Sequence, residues 1–256
     1  MSSELSFEFQ ISKKMEVELF IPCFVDQLYP QMGFNMIKVL EKCGVKVHFN
    51  PKQTCCGQPS FNSGHWKVTK EIADKFLRDY SGERPIVAPS ASCTSFVKNY
   101  YPELSDDSAF HEKCASFKDK LFEISDFLVN QLGVTDLGAE FPTKVTIHDA
   151  CSALREYKLG NEPRTLLSKV KGLEIVEMKA NDVCCGFGGT FSIKMEPIST
   201  AMTEQKVESA LATGAEYIVS TEASCLLQIE AYIKKHELPI KTIHIVDILA
   251  RFSVNS

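Results

Sequence analysis

The chain has 256 residues, 44% of them hydrophobic and 24% charged, the balance of an ordinary water-soluble protein with material for one large domain or two small ones. A net charge of −5 offers no broad basic field to a nucleic acid or an anionic membrane, and no uninterrupted run of about eighteen apolar residues predicts a membrane span. Ten cysteines follow an opening, MSSELSFEFQISKK, that has no basic stretch leading into an apolar run; the expectation is a cytoplasmic protein whose thiols are reduced and serve as ligands or catalysts rather than in disulfides.

In chain order, VELFIPC (17–23) reads as a buried strand that ends at Cys23. A helix is predicted from Pro30 to about Lys42, with Pro at its start, Met32, Met36, Val39 and Leu40 on one face and Gly44 as its stop. Cys43, at the end of that face, reads as a small buried hydrophobe. The strand VKVHFN (45–50) leads into KQTCCGQPSFNSG, and Val68, Ile72, Phe76 and Tyr80 mark a second long helix. The strand PIVAPS (85–90) then runs into Ala-Ser-Cys at Cys93. The charged stretch SDDSAFHEKCASFKD (105–119) reads as an excursion with Cys114 facing solvent, and LFEISDFLVN (121–130) closes the first half.

The second half repeats this order. KVTIHDAC (144–151) is a strand ending at Cys151, EPRTLLSKVKG (162–172) fills the first helix slot, and LEIVEM (173–178) leads into NDVCCGFGGTF (181–191). A helix follows from Pro197 to Thr213, stopped by Gly214. The strand EYIVST (216–221) runs into Ala-Ser-Cys at Cys225, a helix carries Leu226, Ile229 and Ile233 on one face, and TIHIVDILAR (242–251) closes. Cys23 and Cys151, Cys55 and Cys184, Cys56 and Cys185, and Cys93 and Cys225 are 128, 129, 129 and 132 positions apart, a nearly constant offset that marks an internal duplication. The predicted fold is α/β: two pseudo-symmetric repeats, 15–135 and 140–252, joined near GVTDLGAEFPTK (133–144), each a mostly parallel sheet covered by helices with its cysteines at the carboxyl ends of strands.

Adjacent cysteines have α-carbons about 3.8 Å apart, below the roughly 4.4 Å at which ordinary disulfides begin, so Cys184 and Cys185 are not expected to be bonded to each other. Four sulfurs gathered from three loops make a cage. Structural zinc favours close C-x2-C pairs, which this sequence lacks, whereas an iron–sulfur core reaches ligands on separate loops. Zinc and redox-active thiols stay open as alternatives. Gly57, Gly186, Gly188 and Gly189 would let backbone approach a bulky cofactor and aim N–H groups at its sulfurs. The run CCGFGG lacks the G-x-G-x-x-G spacing of a dinucleotide loop.

The series Cys23, CCG at 55–57, Cys93, repeated as Cys151, CCG at 184–186, Cys225, resembles the duplicated cysteine-rich CCG domain found in heterodisulfide reductase and in the glycolate oxidase iron–sulfur subunit. With SCTSF, HDAC and CCGFGGTFSIKM, and a near-absence of extra domains, it most resembles the lactate utilization protein A family over about residues 15–250. The resemblance implies an electron-transferring subunit of a complex that oxidises L-lactate to pyruvate, inactive on lactate without a ferredoxin-like iron–sulfur subunit and a third lactate-utilization subunit. It makes Cys23, Cys55, Cys56 and Cys93 ligands of one cluster, and Cys151, Cys184, Cys185 and Cys225 ligands of another, of the 4Fe-4S type and one per repeat. Heterodisulfide reductase relatives carry a fifth thiol where this chain has Phe96 and Gln228, so an ordinary four-iron cluster and a non-cubane one are both compatible with four ligands. Two other readings compete: a structural metal-binding scaffold, and a subunit that reduces a heterodisulfide or a quinone.

Three further residues are catalytic candidates. His148 and Asp149 could donate a hydrogen bond to cluster sulfur or pass protons, or else simply cap a strand end. Arg155 could offset cluster charge or receive a substrate carboxylate, or be an exposed helix arginine. His244 reads as a satisfied core or edge histidine.

Overall fold

The computed structural model describes residues 15–252, and the opening segment considered for export signals lies outside them. The first half runs β1 (Glu16–Leu19), α1 (Cys23–Leu28), α2 (Pro30–Lys42), β2 (Lys46–Phe49), α3 (Gln58–Asn62), α4 (Trp66–Asp79), β3 (Ile86–Ala88), α5 (Ala91–Tyr100), α6 (Ser108–Lys118), β4 (Leu121–Glu123) and α7 (Ile124–Asp126). The second runs β5 (Lys144–Ile147), a wide helical turn Ser152–Tyr157, α8 (Glu162–Leu167), β6 (Glu174–Ile175), α9 (Phe191–Lys194), α10 (Glu196–Leu211), β7 (Tyr217–Ser220), α11 (Ala223–Lys235), β8 (Lys241–His244) and α12 (Ile245–Leu249). Among the described residues no helix is long and apolar enough to cross a membrane.

The fold is α/β, with two four-stranded parallel sheets ordered β2-β1-β3-β4 and β6-β5-β7-β8. Equivalent strands pair in equivalent register: Leu19 lies opposite Val87 in one sheet and Ile147 opposite Val219 in the other. Of the central strands, β3 (Ile-Val-Ala) is buried on both faces and reads as a continuous apolar run, whereas in β1 (Glu-Val-Glu-Leu) buried Val17 and Leu19 alternate with half-buried glutamates. Helix α2 forms where expected. Pro30 starts it, Met32, Met36, Val39 and Leu40 are buried, and Gly44 takes the left-handed φ of +77° that ends it. One apolar core joins the halves, with Val17, Met36 and Ile124 in the same cluster as Val145, Leu167 and Val246; Leu137, Ala139 and Phe141 of the connection are part of it.

Four expectations change. The strands stop at Leu19 and Ile147, short of Cys23 and Cys151, which instead begin the helical segments that follow. Residues 108–118 are no excursion but helix α6, whose Phe110, Cys114 and Phe117 face the core at helical spacing, so Cys114 is buried rather than solvent-facing. Val68 is exposed; Thr69, Ala73, Phe76 and Leu77 form the buried face of α4. Cys43 is only half-buried, as the residue that caps α2.

Glu123 and His244 end the fourth strand of their sheets, each buried and each capping the helix that follows. Glu123 accepts the N–H groups of Ser125 at 2.7 Å and Asp126 at 3.3 Å, yet burial dominates and pushes its carboxyl from 4.5 up to about 8. A raised folded-state value means that the neutral acid is favoured in the fold. Its contribution is full below the unfolded value and is lost as pH rises toward 8. Glu123→Gln keeps an acceptor without titrating. The stability of the native protein relative to this variant is expected to fall by on the order of 3–5 kcal/mol between pH 4.5 and 8.5 in urea unfolding; a difference independent of pH would contradict this.

Candidate metal centres

Each sheet reverses its strand order between its first and third strands, and in open α/β sheets ligands collect beyond the strand ends at such a point. Cys23 opens α1 after β1, Cys55 and Cys56 follow β2, and Cys93 lies in the first turn of α5 after β3. Cys151, Cys184 with Cys185, and Cys225 occupy the same places after β5, β6 and β7.

The eight thiols gather into two quartets. In the first, the sulfurs of Cys23 and Cys55 are 3.6 Å apart, and Cys56 stands between Cys55 and Cys93, close enough to both for them to shift its protonation. In the second, the same order runs from Cys151 through Cys184 and Cys185 to Cys225. All eight line a single cleft of about 470 Å³ between the halves, one wall of which is closed by edge-to-face contact of Phe24 and Phe187 at 5.5 Å. The quartets therefore face each other across shared space.

Crowding of this kind separates the protonation of neighbouring sulfurs. Hydrogen bonds from Cys23, from Cys56 and from the Gly57 N–H at 3.4 Å pull the Cys55 thiol down to about 3, while the bond to Cys55 and burial push Cys23 up. Cys184 is pulled down in the same way by Cys151, Cys185 and the Gly186 N–H at 3.4 Å, and Cys185 is pushed up. Cys225 falls to about 6 through Cys185 and then His148, against the effect of burial. Four sulfurs at the mouth of one cleft, one of them already favoured as thiolate and met by a backbone N–H, fit a thiophilic metal or an iron–sulfur core that reaches ligands on separate loops.

The glycines divide by task. Gly188 and Gly189 line the cleft at φ of +50° and +62°; the space beside Gly189 is open, whereas a Cβ at Gly188 would lie 2.9 Å from Phe191 Cβ. Gly57 and Gly186 point their N–H groups at sulfur, but what demands glycine there is the helix behind. At Gly186, φ is +92° and a Cβ would lie 2.4 Å from the Ser199 carbonyl oxygen in α10; at Gly57, φ is +93° and a Cβ would meet only the Ile72 and Thr69 side chains, at 3.3 and 3.4 Å. Ser199 and Thr203 of α10 fasten the loop by donating to the carbonyls of Gly186 and Cys185, both at 2.8 Å.

The three catalytic candidates lie elsewhere than in the cleft. His148 is buried behind the second quartet: its Nδ1 meets the Asn181 carbonyl at 3.3 Å, its Nε2 has no hydrogen-bond partner, and a ring nitrogen, Cys185 Sγ and Cys225 Sγ are mutually within 4.8 Å. Asp149 is clamped by both terminal nitrogens of Arg164 at 2.9 and 2.8 Å, and Arg164 also binds Glu177. Arg155 is exposed and does not line the cleft. Phe96 is packed into an aromatic cluster with Tyr101 and Phe61, and Gln228 donates to Ser199 at 3.1 Å and Thr203 at 3.0 Å, so both of these positions are filled by structural contacts.

Sequence reading missed Glu222. It lines the cleft where the two halves meet, in a single antiparallel bridge with Ser90. Its carboxylate accepts the Ser90 hydroxyl at 3.1 Å and the Ser92 N–H at 2.9 Å, and burial followed by Cys225 raises it to about 7. The available signal was the duplication itself: Glu222 stands where the first half has Ser90 in PSASC.

Comparison with known proteins agrees with the duplication. The profile of the cysteine-rich CCG domain matches twice, over residues 17–98 and 145–230. Lactate utilization protein A 1 of Bacillus mycoides (strain KBAB4) is 40% identical over 92% of this chain and 96% of its own length, and lactate utilization protein A of Bacillus subtilis (strain 168) is 38% identical over 92% and 99%. Among solved structures, a hypothetical protein from Helicobacter pylori aligns with 95% of this chain at a TM-score of 0.59 and 13% identity; the match spans 50% of that longer chain and is a likeness of fold.

Proposed function

The chain belongs to the lactate utilization protein A family, whose cysteine-rich CCG domain it carries twice, and on that premise we propose that it is the electron-transferring iron–sulfur subunit of a cytoplasmic complex that oxidises L-lactate to pyruvate. The observation that carries this reading is the opening of both sulfur quartets into one cleft. Cys23, Cys55, Cys56 and Cys93 would hold one 4Fe-4S cluster, and Cys151, Cys184, Cys185 and Cys225 the other. Such a cluster supplies reversible one-electron storage.

What the chain itself contributes is burial and placement. It holds the sulfurs at strand ends, aims the Gly57 and Gly186 N–H groups at them, and keeps Glu222 in the cleft wall as a carboxyl with a proton affinity near neutrality. Electrons would enter and leave through a ferredoxin-like iron–sulfur subunit and a third lactate-utilization subunit. Protein purified without oxygen is expected to be brown, with about four irons and four labile sulfides per centre, and to support lactate oxidation only when combined with both partners. A colourless protein that holds zinc alone would refute this and would favour a structural scaffold.

A further inference from the structure

The two quartets are built on the same frame but not backed by the same residues. Phe20 and His148 are equivalent by backbone pairing: the Phe20 N–H donates to the Val87 carbonyl at 3.0 Å and the His148 N–H to the Val219 carbonyl at 2.8 Å. Phe76 and Lys206 are equivalent by helix position. Thr69, Ala73, Phe76 and Leu77 are the buried face of α4, and Ser199, Thr203, Lys206 and Val207, with the same spacing, are the buried face of α10. In the first half these two positions form an edge-to-face aromatic pair, Phe20 on Phe76 at 5.0 Å. In the second they are a histidine and a lysine, each about 1% exposed, that converge on one carbonyl: His148 Nδ1 at 3.3 Å and Lys206 Nζ at 3.1 Å from Asn181 O, with Lys206 also donating to Ala180 O.

From this difference we infer that the two centres are unequal in reduction potential, the second being the more easily reduced of the pair because His148 and Lys206 lie behind it where the first has Phe20 and Phe76. Reduction adds negative charge to a centre, and a nearby ammonium stabilises that charge more than a benzene ring does, the more so in a dry interior. Burial lowers the proton affinity of Lys206; Cys185, Asp182, Cys225 and Asp149 oppose that shift, and two backbone carbonyls, Ala180 and Asn181, receive its N–H groups. A ring nitrogen of His148, Cys185 Sγ and Cys225 Sγ lie mutually within 4.8 Å, so a polar ring stands against the second quartet where the first has the apolar ring of Phe20. Neither position carries a substrate or lines the cleft. Both are positioning residues, and their effect would appear in the potential of the centre rather than in its assembly.

The inference rests on the cluster reading, and one titration separates the two. Full-length protein reconstituted without oxygen is poised at a series of potentials and followed by electron paramagnetic resonance, with Cys56→Ser and Cys185→Ser proteins used to assign the signals. Two midpoints are expected in the native protein, the higher belonging to the second quartet. Lys206→Met is expected to lower that midpoint by a tenfold change in the one-electron reduction constant, about 59 mV, and to leave the first unmoved; His148→Phe shifts it in the same direction. Lys206→Met places an apolar chain where the first half already holds Phe76, and circular dichroism melting checks its fold. Coincident midpoints in the native protein, or a second midpoint that ignores both substitutions, would overturn the inference while the clusters stand. Native protein without any cluster signal would overturn both.

Discussion

Cys185→Ser protein, purified without oxygen, is expected to carry about half the iron and labile sulfide of the native chain, Cys56→Ser the same, and the double variant almost none. Each of these residues is the inner member of its quartet, about 2% exposed and flanked by two other thiols that push its protonation up, Cys184 and Cys225 in one case and Cys55 and Cys93 in the other. A serine there leaves a hydroxyl in a buried sulfur cage, which costs roughly 1–3 kcal/mol in addition to the lost ligand. Cys184→Ser separates the two effects. Its sulfur is half-buried and lines the cleft, so the iron of the second centre should be lost with little change in the melting of the metal-free chain. Cys43→Ala and Cys114→Ala, outside both quartets, should keep all their iron. Full iron in Cys184→Ser and Cys185→Ser would remove the second quartet as a ligand set.

Gly186→Ala is expected to be the most damaging single-methyl change near either centre, and much worse than the same change at Gly57. Both glycines have φ near +90°, a conformation that costs a side chain about 1–2 kcal/mol. They differ in what the added methyl meets. At Gly57 the neighbours are the ends of Ile72 and Thr69, which can yield by a few tenths of an ångström; at Gly186 the nearest atom is a helix carbonyl oxygen at 2.4 Å. Relieving that overlap moves the first turn of α10 and the bonds by which Ser199 and Thr203 hold the loop. The expected loss is about 3–5 kcal/mol for Gly186→Ala against about 1–2 kcal/mol for Gly57→Ala, read as urea midpoints of the metal-free protein. Equal losses would mean that strain in φ alone sets the cost. Gly189→Ala, with open space around it, bears only the strain in φ.

Much of this architecture is legible in the chain. The repeated offsets of the cysteines reveal the duplication, alternating strand and helix patterns predict the parallel sheets, and Pro30 and Gly44 bound α2 within a residue or two. The failures have physical causes. Helix α6 is hidden by its charges, since its polar positions face water and only Phe110, Cys114 and Phe117, at spacings of four and three, show the buried stripe. Asp149 reads as part of a site because local sequence cannot show that Arg164, fifteen positions on, returns to clamp it. Lys206 is the more legible omission, a lone charge at a core position of an otherwise uncharged helix face. Such a conflict between residue type and position is where sequence reasoning should expect a specialised group.

The common interior of the two repeats has an evolutionary consequence. Two separate copies of an ancestral half would have met as a homodimer, and a gene for one subunit must write every change into both sides of a two-fold interface. Covalent fusion lifts that restraint: each side can acquire its own mutations while the partner stays fixed beside it at unit stoichiometry. Histidine and lysine behind one cage, with two phenylalanines behind the other, is a polarity that two copies of a single subunit could not carry.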